Sequence, residues 1–237
     1  MQYRNGQRLP LDRGGAVRLT VNPRARRISI RIDARAGEAI AVAPSERRLT
    51  EAVAFVRQKQ AWIAERLAAR PESRPFAPGQ TILLEGFETR LEASGNAAAA
   101  RLVRDDRGPV IVSGGEGEAY ARRVEKLLRT EARRRLDERT AVHLKALGEK
   151  PVRLSIGDPR SRWGSCSPHN RSIRYSWRVV MAPPSVLDYL AAHEVAHLVH
   201  ADHSPAYWSV VERLVGDHRP YRRWLREHGA ALHAAGR

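Results

Sequence analysis

Residues 189–208, YLAAHEVAHLVHADHSPAYW, place histidines at 193, 197 and 203, with Glu194 beside the first. On a helix, residues four apart share a face with Cβ atoms about 5–6 Å apart, so His193 and His197 can hold one ion through two imidazoles. Zinc takes nitrogen ligands at about 2.0–2.1 Å and is usually tetrahedral, so two histidines leave it incomplete. His203 lies far enough past His197 for the chain to turn and bring back a third imidazole. Three protein ligands leave one corner for water, which is the layout of a catalytic rather than a closed structural zinc. Glu194, next to a ligand, can take a proton from the attacking water and later pass it to the leaving amine. His200 is a competing third ligand, since it falls near the same face at the helix end. In the related HExxHxxGxxH pattern a glycine occupies that place. A histidine there implies a longer helical exit, and no methionine follows His203 to form the methionine turn of that group.

The elements that must position these residues can be read around them. A helix from about Val186 to His200 carries the motif, with Ser185 as its cap and Asp188 completing a capping-box-like pair. Ser204-Pro205 reads as the N-cap and first residue of the next helix, and Pro220 opens a third. Upstream, VRLSI (152–156) and SIRYSW (172–177) read as strands flanking the loop GDPRSRWGSCSPHNR. A long basic helix spans about Glu116 to Leu147, with Val124, Leu127, Leu128, Leu136, Leu144 and Leu147 on its inner face and Gly148 at its C-cap. Its outer face carries Arg122, Arg123, Arg129, Arg133, Arg134 and Arg139, a solvated face or a nucleic-acid contact. Nearer the N-terminus, Val17, Leu19 and Val21, then Ile28, Ile30 and Ile32, alternate as in strands. RAGE (35–38) is a turn before the short strand AIAVA. Leu49, Val53, Val56, Ile63 and Leu67 recur at helical steps up to Arg70, PESRPFAPGQ (71–80) is the best linker, and no repeat stands out.

Composition narrows the classes. The chain has 237 residues, 42% hydrophobic and 29% charged, as in an ordinary folded protein. No run approaches the ~18 apolar residues of a membrane span, and the first residues lack a signal-peptide core, so the expected partners exclude membrane and the expected compartment is the cytoplasm. The one cysteine, Cys166, excludes an intrachain disulfide and a cysteine-based zinc cluster. It is read as a buried thiol, or as a soft ligand if the fold brings it to the metal. A net charge of +16 raises the prospect of a nucleic-acid partner. Only four of the 42 basic residues are lysine, and alanine is plentiful, which is also what a GC-rich genome encodes.

RWGSC (162–166), IRYSWR (173–178), AP before the helix, HEVAHLVHADHSPAYW and RPYRRWL together resemble the YgjP-like metallopeptidases, within the wider SprT-like and WLM zinc peptidase group. RARRISIRID and FVRQKQAWI extend the likeness, more loosely, toward the N-terminus. The resemblance implies one Zn2+ per chain on His193, His197 and His203, Glu194 as catalytic glutamate, and a protein or peptide substrate. It departs from the family pattern at Asp202 (asparagine expected), Tyr207 (phenylalanine expected) and Ser176 (asparagine expected). Asp202 is a candidate to orient a ligand. Tyr207 is read as a packing residue or a hydroxyl aimed at the developing oxyanion, and Arg162 as pairing with a carboxylate of the protein or of a substrate. Trp163 and Gly164 are read as a core aromatic beside a tight turn, and one edge of the small sheet as a place where an extended peptide adds as a strand.

The expected fold is α+β, a β-rich N-terminal region packed on a zincin-like C-terminal domain with a small sheet and the HExxH helix. The expected divisions are 1–113 (β-rich, with one helix), 114–150 (the long basic linking helix) and 151–237 (the metallopeptidase domain). Two other functions compete: a DNA-associated protein whose zinc site acts on DNA-bound proteins or is structural, and a metal-dependent hydrolase of non-peptide amides.

Overall fold

The computed structural model describes residues 3–12, 14–33, 37–68, 75–96, 98–159 and 162–237. It is α+β, and the chain forms two compact units, Met1–Pro71 and Glu72–Arg237. The expected divisions fell after 113 and 150; a single hydrophobic core instead runs from Phe76 through the long helix to Leu232, and a separate one lies within the first unit. The division between the units falls in the proline-rich stretch, whose residues 71–74, like residues 35–36 of the RAGE turn, lie outside the described residues.

In the first unit, strands β1 (Arg8–Pro10), β2 (Ala16–Val21), β3 (Ser29–Asp33) and β4 (Glu38–Ala43) form a sheet in the order β1-β2-β4-β3. The central pair is parallel and the outer pairs are antiparallel. Alternation sends Val17 and Leu19 into a core with Ala39, Ala41 and Ala43, while Arg18 reaches outward to Glu38 at 2.7 Å. The single helix expected here is two, α1 (Leu49–Gln58) and α2 (Gln60–Ala68). The break is at Lys59, whose N–H bonds to the carbonyls of both Phe55 and Val56. A seven-residue step from Val56 to Ile63 keeps one face with or without such a break, so periodicity does not reveal it.

The second unit opens with a sheet of the same topology. β5 (Thr81–Leu84), β6 (Phe87–Ala93), β7 (Arg101–Asp105) and β8 (Gly108–Ser113) run in the order β5-β6-β8-β7, again with a parallel centre and antiparallel flanks. The repeat is one of pairing, not of residues. A sheet constrains alternation and register, which many sequences satisfy, so no repeat is legible in the chain.

Helix α3 (Gly117–Leu147) ends at Gly148, whose φ of 68° is the left-handed conformation of a glycine C-cap. Its buried residues Tyr120, Val124, Leu128, Ala132, Leu136, Thr140 and Leu144 step by four. Each step turns the stripe by about 40°, so it spirals around the axis. One helix can thereby pack in turn on β8, on the short 3-10 turn Trp177–Met181, on helix α4 (Pro184–Ala196) and on strand β9 (Arg153–Gly157). Five of its six outward arginines are ion-paired: Arg122 with Glu118, Arg129 with Glu125, Arg133 with Asp137, Arg134 with Glu131 and Arg139 with Asp188.

A third sheet has the order β10-β11-β9, with β11 (Ser172–Ser176) parallel to β9 and antiparallel to β10 (Gly164–Ser167). β10 lies within the stretch read above as a loop, because Gly, Ser and Cys carry little strand propensity and the strand exists through its pairing with β11. Helices α5 (Pro205–Val215) and α6 (Arg219–Ala234) complete the unit. Arg178, with 1% of its side chain exposed, donates to Asp158, to the carbonyl of Leu232 at 3.0 Å and to that of Ala235, tying the 3-10 turn to the end of α6. Among the described residues no helix is long and apolar enough to cross a membrane.

Candidate metal centre

Helix α4 is buried nearly all round, through Val186, Leu187, Tyr189, Leu190, Ala191, Ala192, Val195 and Ala196. Its weakly amphipathic sequence suits a central helix contacted by α3, α5, α6 and β10. It starts at Pro184 without a side-chain cap, not at the expected Ser185–Asp188 box. Asp188 instead binds Arg139 at 2.7 Å and His143 at 2.6 Å, fastening α4 to α3. The regular helix stops at Ala196, short of the expected His200. The N–H groups of Leu198 and Val199 bond back to Val195 and Ala196, a tight 3-10-type exit rather than a longer helical one. Ser204 caps α5 by accepting from the N–H of Tyr207, with Pro205 at the first helical position, and Pro220 stands at the start of α6.

These boundaries bring His193, His197 and His203 together, with one ring nitrogen from each within 4.8 Å of the others. The Nε2 atoms of His193 and His203 are 3.4 Å apart. Two nitrogens at about 2.0–2.1 Å from one tetrahedral ion would be separated by about 3.3–3.4 Å, so the spacing fits a shared metal. The Nδ1 of His197 donates to the carbonyl of His200 at 3.2 Å, which leaves its Nε2 free of hydrogen and able to ligate. His200 therefore meets the site through its backbone, and its ring is not in the cluster. Burial, helped by the charges of His197 and His203, lowers the pKa of His193 to about 3, and burial lowers that of His197. Neutral imidazoles are what a metal requires.

Glu194 points from the same turn of α4 and is 3% exposed, with Oε2 buried and without a hydrogen-bond partner among the described residues. Burial raises its carboxyl to about 8, against the pull of the Arg162 charge. Gly164 of β10 makes its space. A Cβ there would stand 2.7 Å from both the Cγ and Cδ of Glu194 and closer still to Oε1. Gly164 has ordinary strand backbone, so this glycine serves a close approach and not the tight turn expected of it. Nothing local in the sequence signals this, since its partner lies on α4. Trp163 is partly buried, stacked on His233 at 4.3 Å.

Tyr207 is fully buried, its ring 4.6 Å from that of His197 and 4.8 Å from that of His203. Its hydroxyl donates to the His193 carbonyl at 2.9 Å, so it braces the ligand helix and its proton is already committed. Asp202 is exposed and accepts from the N–H of Ser204 at 3.2 Å, so its carboxylate shapes the turn before α5 and touches no histidine. Arg162 is exposed and has no ion pair among the described residues. Cys166 is half-buried on β10 and outside the histidine cluster, with its thiol raised to about 12 by burial and by the Glu194 charge. Two of the three rings are backed by Trp208, whose indole centroid is 5.7 Å from that of His203 and 5.9 Å from that of His193.

A search among curated proteins finds no match. Among solved structures, the metallopeptidase zymogen of Pyrococcus abyssi abylysin is similar at 20% identity and a TM-score of 0.36, covering 39% of this chain and 93% of that one. The family model for the YgjP-like metallopeptidase domain matches residues 26–228, nearly the whole chain and all of the histidine site. With three imidazoles converging beside a buried glutamate inside that match, this chain belongs to the YgjP-like metallopeptidase family.

Proposed function

We propose that this chain hydrolyses peptide bonds at a zincin-like centre, with His193, His197 and His203 holding one zinc ion and Glu194 acting as general base. The observation that carries the reading is the convergence of three imidazole nitrogens next to a buried carboxylate with an unpartnered oxygen. A zinc bound there would supply Lewis-acid polarisation of the scissile carbonyl and acidify an attacking water. Glu194 takes the proton of that water and delivers it to the leaving nitrogen, a task suited to a carboxyl whose proton affinity burial has moved toward neutrality. The His200 carbonyl fixes the ring of His197, and Tyr207 fixes the backbone of His193. β10 is an edge strand of its sheet, so an extended peptide can add along it and pass the carboxylate that Gly164 admits.

The test is metal analysis of the purified protein joined to a peptide-hydrolysis assay on two variants. Glu194→Gln should retain about one zinc per chain and lose at least ~10²-fold in turnover. His197→Ala should lose both metal and turnover. Undiminished turnover in the Glu194 variant would refute the assignment.

A further inference from the structure

Two of the chain's arginines stand by the histidine site without an ion pair among the described residues. On α3 nearly every outward arginine finds a carboxylate, and at the start of α6 Arg219 pairs with Asp217 at 2.7 Å. Arg222, one turn further along α6, has no carboxylate partner among the described residues. Its guanidinium carbon lies 5.3 Å from the centroid of the Trp208 ring, the indole that backs His203 and His193. The nearby acids are engaged elsewhere, Asp217 with Arg219 and Glu212 beside His218 at 3.5 Å. Arg222 is close enough for its charge to act on His193, Tyr189 and Tyr207. Arg162 stands two residues from Gly164, against which the Glu194 carboxylate lies; its charge acts on that carboxylate, and it is likewise exposed and without an ion pair among the described residues. Two segments far apart in sequence thus each bring an exposed guanidinium, without an ion pair among the described residues, to the surroundings of the histidine site.

An indole face holds a guanidinium in place without neutralising it and leaves its edge donors facing solvent. Such a fork matches a carboxylate in two-point geometry. A peptide in extended form advances about 3.3 Å per residue, so cations standing one side chain beyond the ligands meet groups within two or three residues of the bond being cut.

We propose that Arg222 and Arg162 read a carboxylate on the substrate, giving the enzyme a preference for peptides with an acidic side chain or a free C-terminal carboxylate near the scissile bond. The inference rests on the peptidase reading above and adds the class of substrate to it.

The experiment compares peptides identical except for Glu, Gln or Lys beside the cleaved bond, each with a free or an amidated C-terminus. They are assayed with the zinc-loaded wild type and with Arg222→Gln, Arg222→Glu and Arg162→Gln. The wild type should favour the carboxylate-bearing peptide over its neutral twin by about tenfold or more in kcat/KM, carried mainly by KM. Each neutral variant should shrink that ratio several-fold, and Arg222→Glu should shift the preference toward the Lys peptide, a reversal that mere loss of packing would not produce. Loss of preference on amidation alone assigns the carboxylate to the chain end, and loss on Glu→Gln alone assigns it to a side chain. Anisotropy titrations of the same peptides onto the inactive Glu194→Gln protein should give the same ranking without turnover. Peptides cut or bound without regard to charge, or a preference that survives both arginine substitutions, would overturn the proposal and leave the peptidase reading standing. A DNA oligonucleotide that binds through Arg222 while acidic peptides gain nothing would also overturn it, making the cations a phosphate surface. Failure of the zinc-loaded wild type to cut or bind any peptide would overturn both.

Discussion

Gly164→Ala adds one methyl group at the point where β10 passes the carboxylate of Glu194. The new carbon would stand 2.7 Å from Cγ and Cδ of that side chain and closer still to Oε1, whereas ordinary contact begins at 3.4 Å, so the carbons must give way by about 0.7 Å and the carboxylate oxygen by about 1 Å. Backbone strain does not enter, because Gly164 has no positive φ. In an open setting, removing a strand glycine would stabilise the fold by about 0.4–1 kcal/mol through the unfolded chain. Glu194 is 3% exposed and β10 is tied to β11 through four residue pairs, so neither can yield freely. If Glu194 is the general base proposed above, a misplacement of about 1 Å costs on the order of 10²-fold, equivalent to about 2.7 kcal/mol in the barrier. The methyl touches none of the three histidines, so metal content should hold at about one per chain while kcat/KM falls by about 10²-fold. Glu194→Asp, one methylene shorter, draws the carboxylate away from β10, and combining it with Gly164→Ala should be scarcely worse than Glu194→Asp alone. Strong coupling of that kind is what a direct clash produces. Activity of Gly164→Ala within threefold of wild type, or fully additive losses in the double variant, would refute the reasoning.

Three further outcomes follow from the same structure. Arg178→Met leaves Asp158 with Arg237 alone and removes the donor to two carbonyls, and should cost about 3 kcal/mol, lowering Tm by roughly 6–12 °C in a calorimetric scan. In metal-free protein, stability should fall on acidification. Although burial pushes Asp158 and Asp188 upward, their bonds to Arg178 and to His143 and Arg139 hold both carboxyls below the usual range. Their stabilisation is therefore complete above about pH 4 and is lost as pH drops through the folded values. His233, lowered to about 4 mainly by burial, adds a loss that starts near pH 6.5, where the unfolded chain takes up the proton first, and thermal melts between pH 7 and pH 3 would show both. Because the arginines of α3 are paired internally, Arg122→Gln with Arg134→Gln should leave the salt slope of any oligonucleotide binding unchanged, whereas a phosphate contact would lower it by about one per residue.

The histidine cluster was legible early because its members are local. Two histidines one helical turn apart, a third shortly after, and a glutamate beside the first are all consequences of helix geometry within one short stretch, and so are the Ser204 cap and Gly148 stop that frame the neighbouring helices. The strands at Val17–Leu19 and Ile30–Ile32 and the inner face of α3 were legible for the same reason, since alternation and near-fourfold periodicity report which face is buried. What the sequence could not state is whatever depends on a partner far along the chain. β10 is a strand because β11 pairs with it, Gly164 is a glycine because Glu194 lies against it, and Asp188 serves α3 instead of its own helix cap. Arg162 and Arg222 look like two of many arginines until the fold brings one to the Glu194 carboxylate and the other onto Trp208 behind the histidines. Sequence periodicity encodes how each segment buries its own apolar face. Close approach between segments is decided by packing, where the distances that select a glycine or leave a charge unpaired come into being.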